Sequence, residues 1–576
     1  MNDTGYIKQA ELILRHIEAV PAYAQLRECH ADPEMFERDA LAMILESAAR
    51  FAEEVLYPAN RQGDALGCRL ENGRVVTPDR YKGAWKQLVA QGWNAIDQPV
   101  EFGGQGLPSF VNVACRELFD RACMAIGMVT GPQRAAALVL LEYASAETCQ
   151  EWITKFVEGT WSASIGISEP DAGSDVGRIR TRATPMEDGS WRIDGEKMWT
   201  SFGDNDLVER IGCLLLARTP DAPPGSGGLS LFLVPNTLRD EQGNWKPNGV
   251  FVRRIEEKLG LHGSPTCVMG FEGAHAELIG TINRGLPQLF VMIQNMRTLV
   301  AIEGVGIAFG ASQVAHAYAL ERRQGGDPKK PAVAIAEHAE IQRLLLNMHS
   351  RVEVLRALVL ELAIRLDLLP YMSDEHERSQ SHELTQWLLP ILKATCSEAA
   401  FEVSSDAMQV LGGAGYTTEW PVEQWLRDSR MMSIAEGATG IQALDLLHRR
   451  IWRSKSAGLI SFLEISRKEL EQADAVLAAP ALSVLQQLES AAVRLQDWQE
   501  TPRDAEAGAT AFLQLATLAA TGWMAVRLAS LQGDDPNTQR LIALGCYWLS
   551  DVEARAQRQS AEVSMGASRL ALFESL

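Results

Sequence analysis

Between Thr160 and about Gly285 the chain loses the helical periodicity that runs before and after it, and no other feature restricts the fold as much. Upstream, Leu41, Ile44, Leu45, Ala48, Ala52, Val55 and Leu56 recur at the spacing of one helix face, and Pro58 is expected to stop that run. Gly103-Gly104 and Gly131-Pro132 are expected to separate further helices, one of them Ala/Leu-rich over Ala135 to Tyr143. Within the interval, β-rich stretches at Trp191 to Ile193, Ile211 to Ala217, Leu229 to Val234 and Thr266 to Met269 alternate with turn clusters such as Asp188-Gly189 and PDAPPGSGG from Pro220. That texture predicts a small antiparallel barrel or sandwich. Downstream, long helical patterns cover Leu286 to Arg323, Ala336 to Leu368 and Glu383 to Leu411, and further amphipathic helices follow from Leu459.

The order predicts an α+β chain, mainly α, in four parts. These are an N-terminal helical domain over 1–159, a small β-barrel over 160–285, a four-helix bundle over 286–455 and a helical C-terminal extension over 456–576. A length of 576 residues fits three or four domains. Strand and crossover helix do not alternate, which disfavours a doubly wound nicotinamide-binding unit. Gly304-x-Gly306 lacks a third glycine in place and follows no strand, so it reads as close helix packing.

Lys and Arg number 54 against 74 Asp and Glu, a net charge of −20. That balance argues against a nucleic-acid partner or an anionic membrane, because phosphate binding needs clustered cations. A single anionic small ligand held by local donors remains compatible. Met1 to Ala19 is charged throughout, which predicts no secretory signal. No apolar run is expected to reach the ~20 residues of a membrane span, and Ala511 to Leu531 reads as a buried amphipathic helix. The nine scattered cysteines, without C-x-x-C, read as reduced packing residues of a cytoplasmic protein, with no disulfide frame or metal site.

Three clusters could carry chemistry. Ile165 to Asp175, IGISEPDAGSD, offers backbone N–H groups and hydroxyls suited to a cofactor's polar edge or a phosphate chain. Lys197 to Gly203, KMWTSFG, places an aromatic before two hydroxyls, which could stack on and hydrogen-bond a flat heterocycle. In the third, Gln409 to Gln442, Gly412-Gly413 fits a helix C-cap, and Glu436 stands alone among Met431, Met432, Ile434, Ala435 and Ala438. A carboxylate in such company is expected to have its pKa raised toward that of a useful general base. Taken singly, the first two clusters fit a polar loop and a packing Trp better than a site, and the third fits a surface Glu at least as well.

Their joint order and spacing resemble the acyl-CoA dehydrogenase flavoprotein family over roughly Met35 to Arg453. The resemblance rests on Gly92-Trp93 with Phe102 to Leu107, Ser168 to Asp175, Lys197 to Trp199, Gln409 with Gly412-Gly413, Arg427-Asp428 and Glu436-Gly437. PDAPPG, Lys258 to Val268, IQALDLL and the long tail resemble a narrower branch of about 600 residues, like the 3-(methylthio)propanoyl-CoA dehydrogenases. The resemblance implies FAD as cofactor and an acyl-CoA substrate, fatty acyl or 3-(methylthio)propanoyl, taken to the trans-2-enoyl-CoA. Glu436 would take the α-proton and the β-hydrogen would leave as hydride to flavin N5. Electron-transfer flavoprotein would accept the electrons, and the enzyme would be a cytoplasmic homodimer or larger homo-oligomer in fatty-acid β-oxidation.

Carried over by position, Ile165, Ile167 and Ser168 would lie along the isoalloxazine. Ser174 would reach the flavin phosphates or the acyl-CoA, Trp199 would pack on the flavin, and Ser201 would lie near N5. Arg322 and Gln409 with Gly412 and Gly413 would serve the adenosine-diphosphate portion from a neighbouring subunit. Arg297 and Gly437 would contact substrate. The chain departs from the family at Ala435, usually aromatic, at Ala438, usually threonine, and at Gln294, often an acid. Ser168 and Ser201 replace commoner threonines and keep the hydroxyls. Losing a ring at 435 should widen the pocket beside the base. Alternatives are an acyl-CoA oxidase that uses O2, a DNA-binding adaptive-response flavoprotein and a degenerate structural member. The acids Glu464, Glu469, Glu471, Asp474 and Glu489 in the tail argue against DNA, and retention of Glu436 argues against the third. Nitroalkane oxidation would call for an aspartate at that position.

Overall fold

The computed structural model describes residues 5–30 and 32–576. The helices of the first part are α1 (Tyr6–Ala19), α2 (Pro21–Cys29), α3 (Arg38–Phe51), α4 (Tyr57–Leu66), α5 (Asp79–Ala90), α6 (Ser109–Tyr143) and α7 (Ala146–Val157). A hairpin of β1 (Arg69–Glu71) and β2 (Arg74–Val76) interrupts them. The main sheet holds β3 (Trp161–Gly166), β4 (Arg182–Pro185), β5 (Trp191–Ser201), β6 (Arg210–Arg218) and β7 (Leu229–Pro235). A second hairpin, β8 (Thr237–Arg239) and β9 (Trp245–Pro247), precedes β10 (Val250–Ile255) and β11 (Thr266–Ile279) of the sheet. Helices resume with α8 (Gly285–Gln288), α9 (Phe290–Glu321), α10 (Ala339–Leu368), α11 (Glu375–Leu411), α12 (Val422–Arg430) and α13 (Thr439–Leu444). The tail adds α14 (Ala457–Leu470), α15 (Ala475–Asp497), α16 (Pro502–Ala529), α17 (Pro536–Leu549) and α18 (Val552–Ser564).

The chain divides into two compact units. One comprises Arg50–Asn112 and Ala122–Leu299, and contains the sheet. Its seven strands run β10-β11-β5-β4-β6-β3, and β7 bridges β11 and β6, so β11-β5-β4-β6-β7 form a closed ring. The β3–β6 and β4–β6 pairings are parallel, a departure from the all-antiparallel expectation. Alternation sorts two cores. Cys213, Leu215, Ala217, Phe232 and Val234 join Met269 and Phe271 on one face. Leu214, Leu216, Leu231 and Leu233 pack with Trp152, Phe156 and Trp161 on the other. Strands β6 and β7 are continuous apolar runs because both their faces are buried.

The other unit comprises the chain up to Ala49, Val113–Arg121 and Val300–Leu576. The Gly304-x-Gly306 reading holds: a Cβ on Gly304 would lie 2.4 Å from the Cys396 carbonyl, and one on Gly306 2.4 Å from that of Glu117. Trp387 of α11 stacks on Phe462 of α14 and meets Phe512 of α16 edge-on, so tail and bundle share one core.

Several local expectations are corrected. Pro58 does not stop the first run; the helical backbone continues through a π-helical turn over Ala52–Leu56 into α4, and the proline stands at the second residue of α4. Gly131-Pro132 does not break α6 either, and the departure from helical backbone is at Cys123 (φ −156°, ψ 82°). Strand β5 continues to Ser201 and β11 to Ile279, well beyond the apolar stretches that announced them. Cys29 and Cys546 are exposed, so the packing role fails for these two. The described residues also include four helices long and apolar enough to cross a membrane, Ser109–Tyr143, Phe290–Glu321, Ala475–Glu500 and Pro502–Ala529. Their most apolar windows are 78%, 89%, 39% and 83% buried inside the protein. From Ala511 to Ala529, α16 is buried on nearly all sides and is not amphipathic there.

Candidate active site

In the sheet unit, the first two motif clusters are tied together at the backbone. Ile165 is the last residue but one of β3, and Ile167 and Ser168 follow the strand, all three half-buried. The Met198 N–H donates to the Ser168 carbonyl at 2.9 Å. Beneath this crossing, the wholly buried Lys197 Nζ donates to the Ile167 carbonyl (3.1 Å) and to Glu169 Oε1 (2.7 Å). Glu169 also accepts from the backbone N–H of Arg180 and from the Thr181 hydroxyl, both at 2.6 Å. Burial pushes the Glu169 carboxyl up, but Lys197 and Thr181 outweigh it and hold the group below the usual carboxylate range.

Trp199, next along β5, is 57% exposed and takes φ 61°, a left-handed backbone that a bulky residue adopts only at a cost. Ser201 is half-buried at the strand end, paired with Thr266. Ser174 is exposed in the loop beyond the Glu169–Ala172 bridge. Arg297 is buried on α9.

In the helical unit, Gln409 lies exposed on the last turn of α11, and Gly412 opens the following turn at φ 61°. A Cβ on Gly412 or Gly413 would meet nothing within 4 Å. Arg322 follows α9 and is exposed; among the described residues no hydrogen bond joins it to the Gln409–Gly413 turn.

Glu436 is half-buried in the short link between the turn Met431–Ser433 and α13, at φ 53°, with Gly437 at φ 90°. Four carbonyls of this turn and link are held by side chains. Lys393 of α11 donates to those of Met432, Ala435 and Gly437, and Gln442 of α13 to those of Glu436 and Gly437. Thr439, one place later than the family threonine, donates to Glu398 Oε1 at 2.5 Å.

Sequence reasoning missed a buried charge cluster in this unit. Arg116 Nη2 lies 2.8 Å from both Asp120 Oδ1 and Glu303 Oε1, and all three residues are buried. Burial pushes Glu303 up to about 7 despite Arg116, and the charge of Glu436 pushes the same way. Asp120 is likewise raised by burial, against the pull of Arg116. A charged residue inside an apolar helical run was the available signal, both for Glu303 in LVAIEGVGIAFG and for Lys393 in WLLPILKATC.

Comparison with known proteins places this geometry in a family. Models of the N-terminal, middle and C-terminal domains of acyl-CoA dehydrogenases match residues 38–160, 164–274 and 283–451. The chain is 37% identical over 518 residues to a 3-methylmercaptopropionyl-CoA dehydrogenase of Ruegeria pomeroyi, covering 88% of this chain and 86% of that protein. It is 34% identical to the broad-specificity linear acyl-CoA dehydrogenase FadE5 of Mycobacterium tuberculosis, over 73% and 71% of the two chains. Its fold is shared with Caenorhabditis elegans ACDH-11, solved in complex with C11-CoA, at a TM-score of 0.80 and 21% identity, covering 98% and 95% of the two chains. With all three family domains present in order and relatives of this extent, the chain belongs to the acyl-CoA dehydrogenases, oxidoreductases that use FAD.

Proposed function

We propose that the protein dehydrogenates an acyl-CoA thioester between its α- and β-carbons, with Glu436 as the base that takes the α-proton. The observation that carries this reading is the backbone of Glu436. A glutamate at φ 53°, in a link whose Ala435, Glu436 and Gly437 carbonyls are all held by side chains, is a strained residue kept in place by its surroundings, as functional groups often are. The α-proton becomes removable as its thioester oxygen is held by hydrogen-bond donors, and the Glu436 N–H would be one of them.

The donor set near β3 and β5 suits FAD. An exposed indole at Trp199, the apolar Ile165 and Ile167, and the hydroxyls of Ser168 and Ser201 could line a flat heterocycle. Ser174 would serve its phosphates, Arg322, Gln409 and the uncrowded glycines 412 and 413 would serve the adenosine-diphosphate portion from a neighbouring subunit, and Arg297, Ser174 and Gly437 would serve the acyl-CoA. When bound, FAD supplies the acceptor for the β-hydrogen. In the same reading the enzyme is a cytoplasmic homo-oligomer and passes electrons to electron-transfer flavoprotein.

Ala435 leaves room beside the base, and the relatives' names define the substrates to compare: 3-(methylthio)propanoyl-CoA and linear acyl-CoAs of increasing length. Anaerobic bleaching of the flavin across that panel ranks them. Glu436→Gln should fold and retain FAD while turnover falls about 10²- to 10⁴-fold. Turnover near the native rate would sink the assignment. Stoichiometric hydrogen peroxide in air would favour an oxidase.

A further inference from the structure

Beneath the Glu436 link lies a buried ammonium. Lys393 is fully buried, and its Nζ donates to the carbonyls of Met432 at 2.8 Å, Ala435 at 2.6 Å and Gly437 at 2.7 Å. A lysine has three N–H donors, and each has a carbonyl here. Gln442, equally buried, donates from Nε2 to the carbonyls of Glu436 at 3.1 Å and Gly437 at 3.0 Å.

Peptide planarity turns these bonds into a constraint on Glu436. The Ala435 carbonyl and the Glu436 N–H belong to one planar trans unit and point in opposite directions. Holding the carbonyl against Lys393 therefore directs the Glu436 N–H away from α11. In the same way, Gln442 holds the Glu436 carbonyl and so fixes the Gly437 N–H. With both flanking planes fixed, the residue between them is left at φ 53° and the root of its side chain has one direction.

We propose that Lys393 and Gln442 are positioning residues, which lock the two peptide planes around Glu436 and so aim its carboxylate and its N–H together at the thioester. This rests on the reading of Glu436 as the base. A lysine that merely fills and satisfies a loop would support stability, and its loss would leave proton abstraction unaltered in variants that fold. A positioning lysine acts on the proton-transfer step itself.

The test uses the FAD-loaded full chain and the variants Lys393→Met and Gln442→Leu. The first readout is steady-state kinetics. The second is exchange of α-hydrogen for deuterium, followed by NMR, in an acyl-CoA with sulfur in place of its β-carbon, which has no β-hydrogen to lose. For Lys393→Met, kcat should fall about 10²-fold, as expected for a misplaced group, with KM within about threefold. For Gln442→Leu the fall should be about tenfold, and α-exchange should slow in parallel with kcat in both variants. Folded, flavin-loaded variants with native exchange and native kcat would overturn the proposal, as would a raised KM at unchanged kcat. If Lys393→Met does not fold, Gln442→Leu decides by the same criterion. Failure of the native protein to exchange the α-hydrogen, or undiminished exchange in Glu436→Gln, would instead overturn the base assignment and the clamp with it.

Discussion

The Lys197 ammonium and the Glu169 carboxylate, 2.7 Å apart and both buried, join the strand that carries Trp199 to the loop that carries Ser168. Removing only one partner leaves a buried charge without compensation. Lys197→Met should therefore destabilise the chain by about 3–5 kcal/mol, and Glu169→Gln in that background should restore part of the loss. Urea unfolding of the two single variants and the double variant measures the coupling. Strictly additive losses would show that the pair is not a unit.

Glu303 holds its proton in the folded chain up to about 7, against 4.5 for an ordinary glutamate. The folded state binds more protons than the unfolded one in that window, so stability falls as pH rises from about 4.5 to about 7. At roughly 1.4 kcal/mol per pH unit, the loss approaches about 3 kcal/mol on the alkaline side. Glu303→Gln keeps an acceptor for Arg116 and cannot ionise. It should be more stable than the native chain at about pH 8 and not at about pH 4.5, which unfolding midpoints at the two pH values will check.

Glu361 behaves in the opposite way. Burial alone would raise it, but Arg365 and Arg527 hold it down to about 2. Its contribution is present above about pH 4.5 and is lost as pH falls toward 2. Arg527 of α16 reaches Glu361 of α10 at 2.8 Å and Glu469 of α14 at 2.7 Å. Arg527→Met should lower stability at neutral pH by about 3–5 kcal/mol and flatten its acid dependence. An unchanged acid limb in thermal melts would remove Arg527 as the cause.

Gly304 should not tolerate a methyl group. Its Cβ would collide with backbone of α11 and not with a side chain that could move aside. Gly304→Ala is expected to cost about 1–3 kcal/mol through overpacking, and calorimetry gives the figure directly. Gly412→Ala meets no neighbour, yet sits at φ 61°, ψ −137°, a backbone open almost only to glycine, so its penalty would come from the backbone alone.

The order of the fold was legible because the hydrophobic period changes from that of helices to that of strands near Thr160 and back near Gly285. Punctuation by single residues was less reliable. Pro58 and Pro132 looked like stops, but helical backbone continues through the first, and burial holds α6 together through the second. Short patterns also hid strand length: β5 runs on through Glu196 and Lys197, whose charges mask the period. The Glu436 link could be found from its residue types. Its support was harder to read: a charge in an apolar run marks Lys393, but Lys393 and Gln442 act through backbone carbonyls and leave no side-chain pairing to show where they act.

The packing of Trp387 against Phe462 and Phe512 has a genetic corollary. A stop codon shortly after residue 456 would not simply trim an appendage. It would strip aromatic partners and the Arg527 counter-charge from the half of the protein that bears Glu436. Nonsense alleles that remove Phe462, Phe512 and Arg527 should therefore behave as nulls, and the truncated product should be cleared by proteases and not accumulate as a shortened enzyme.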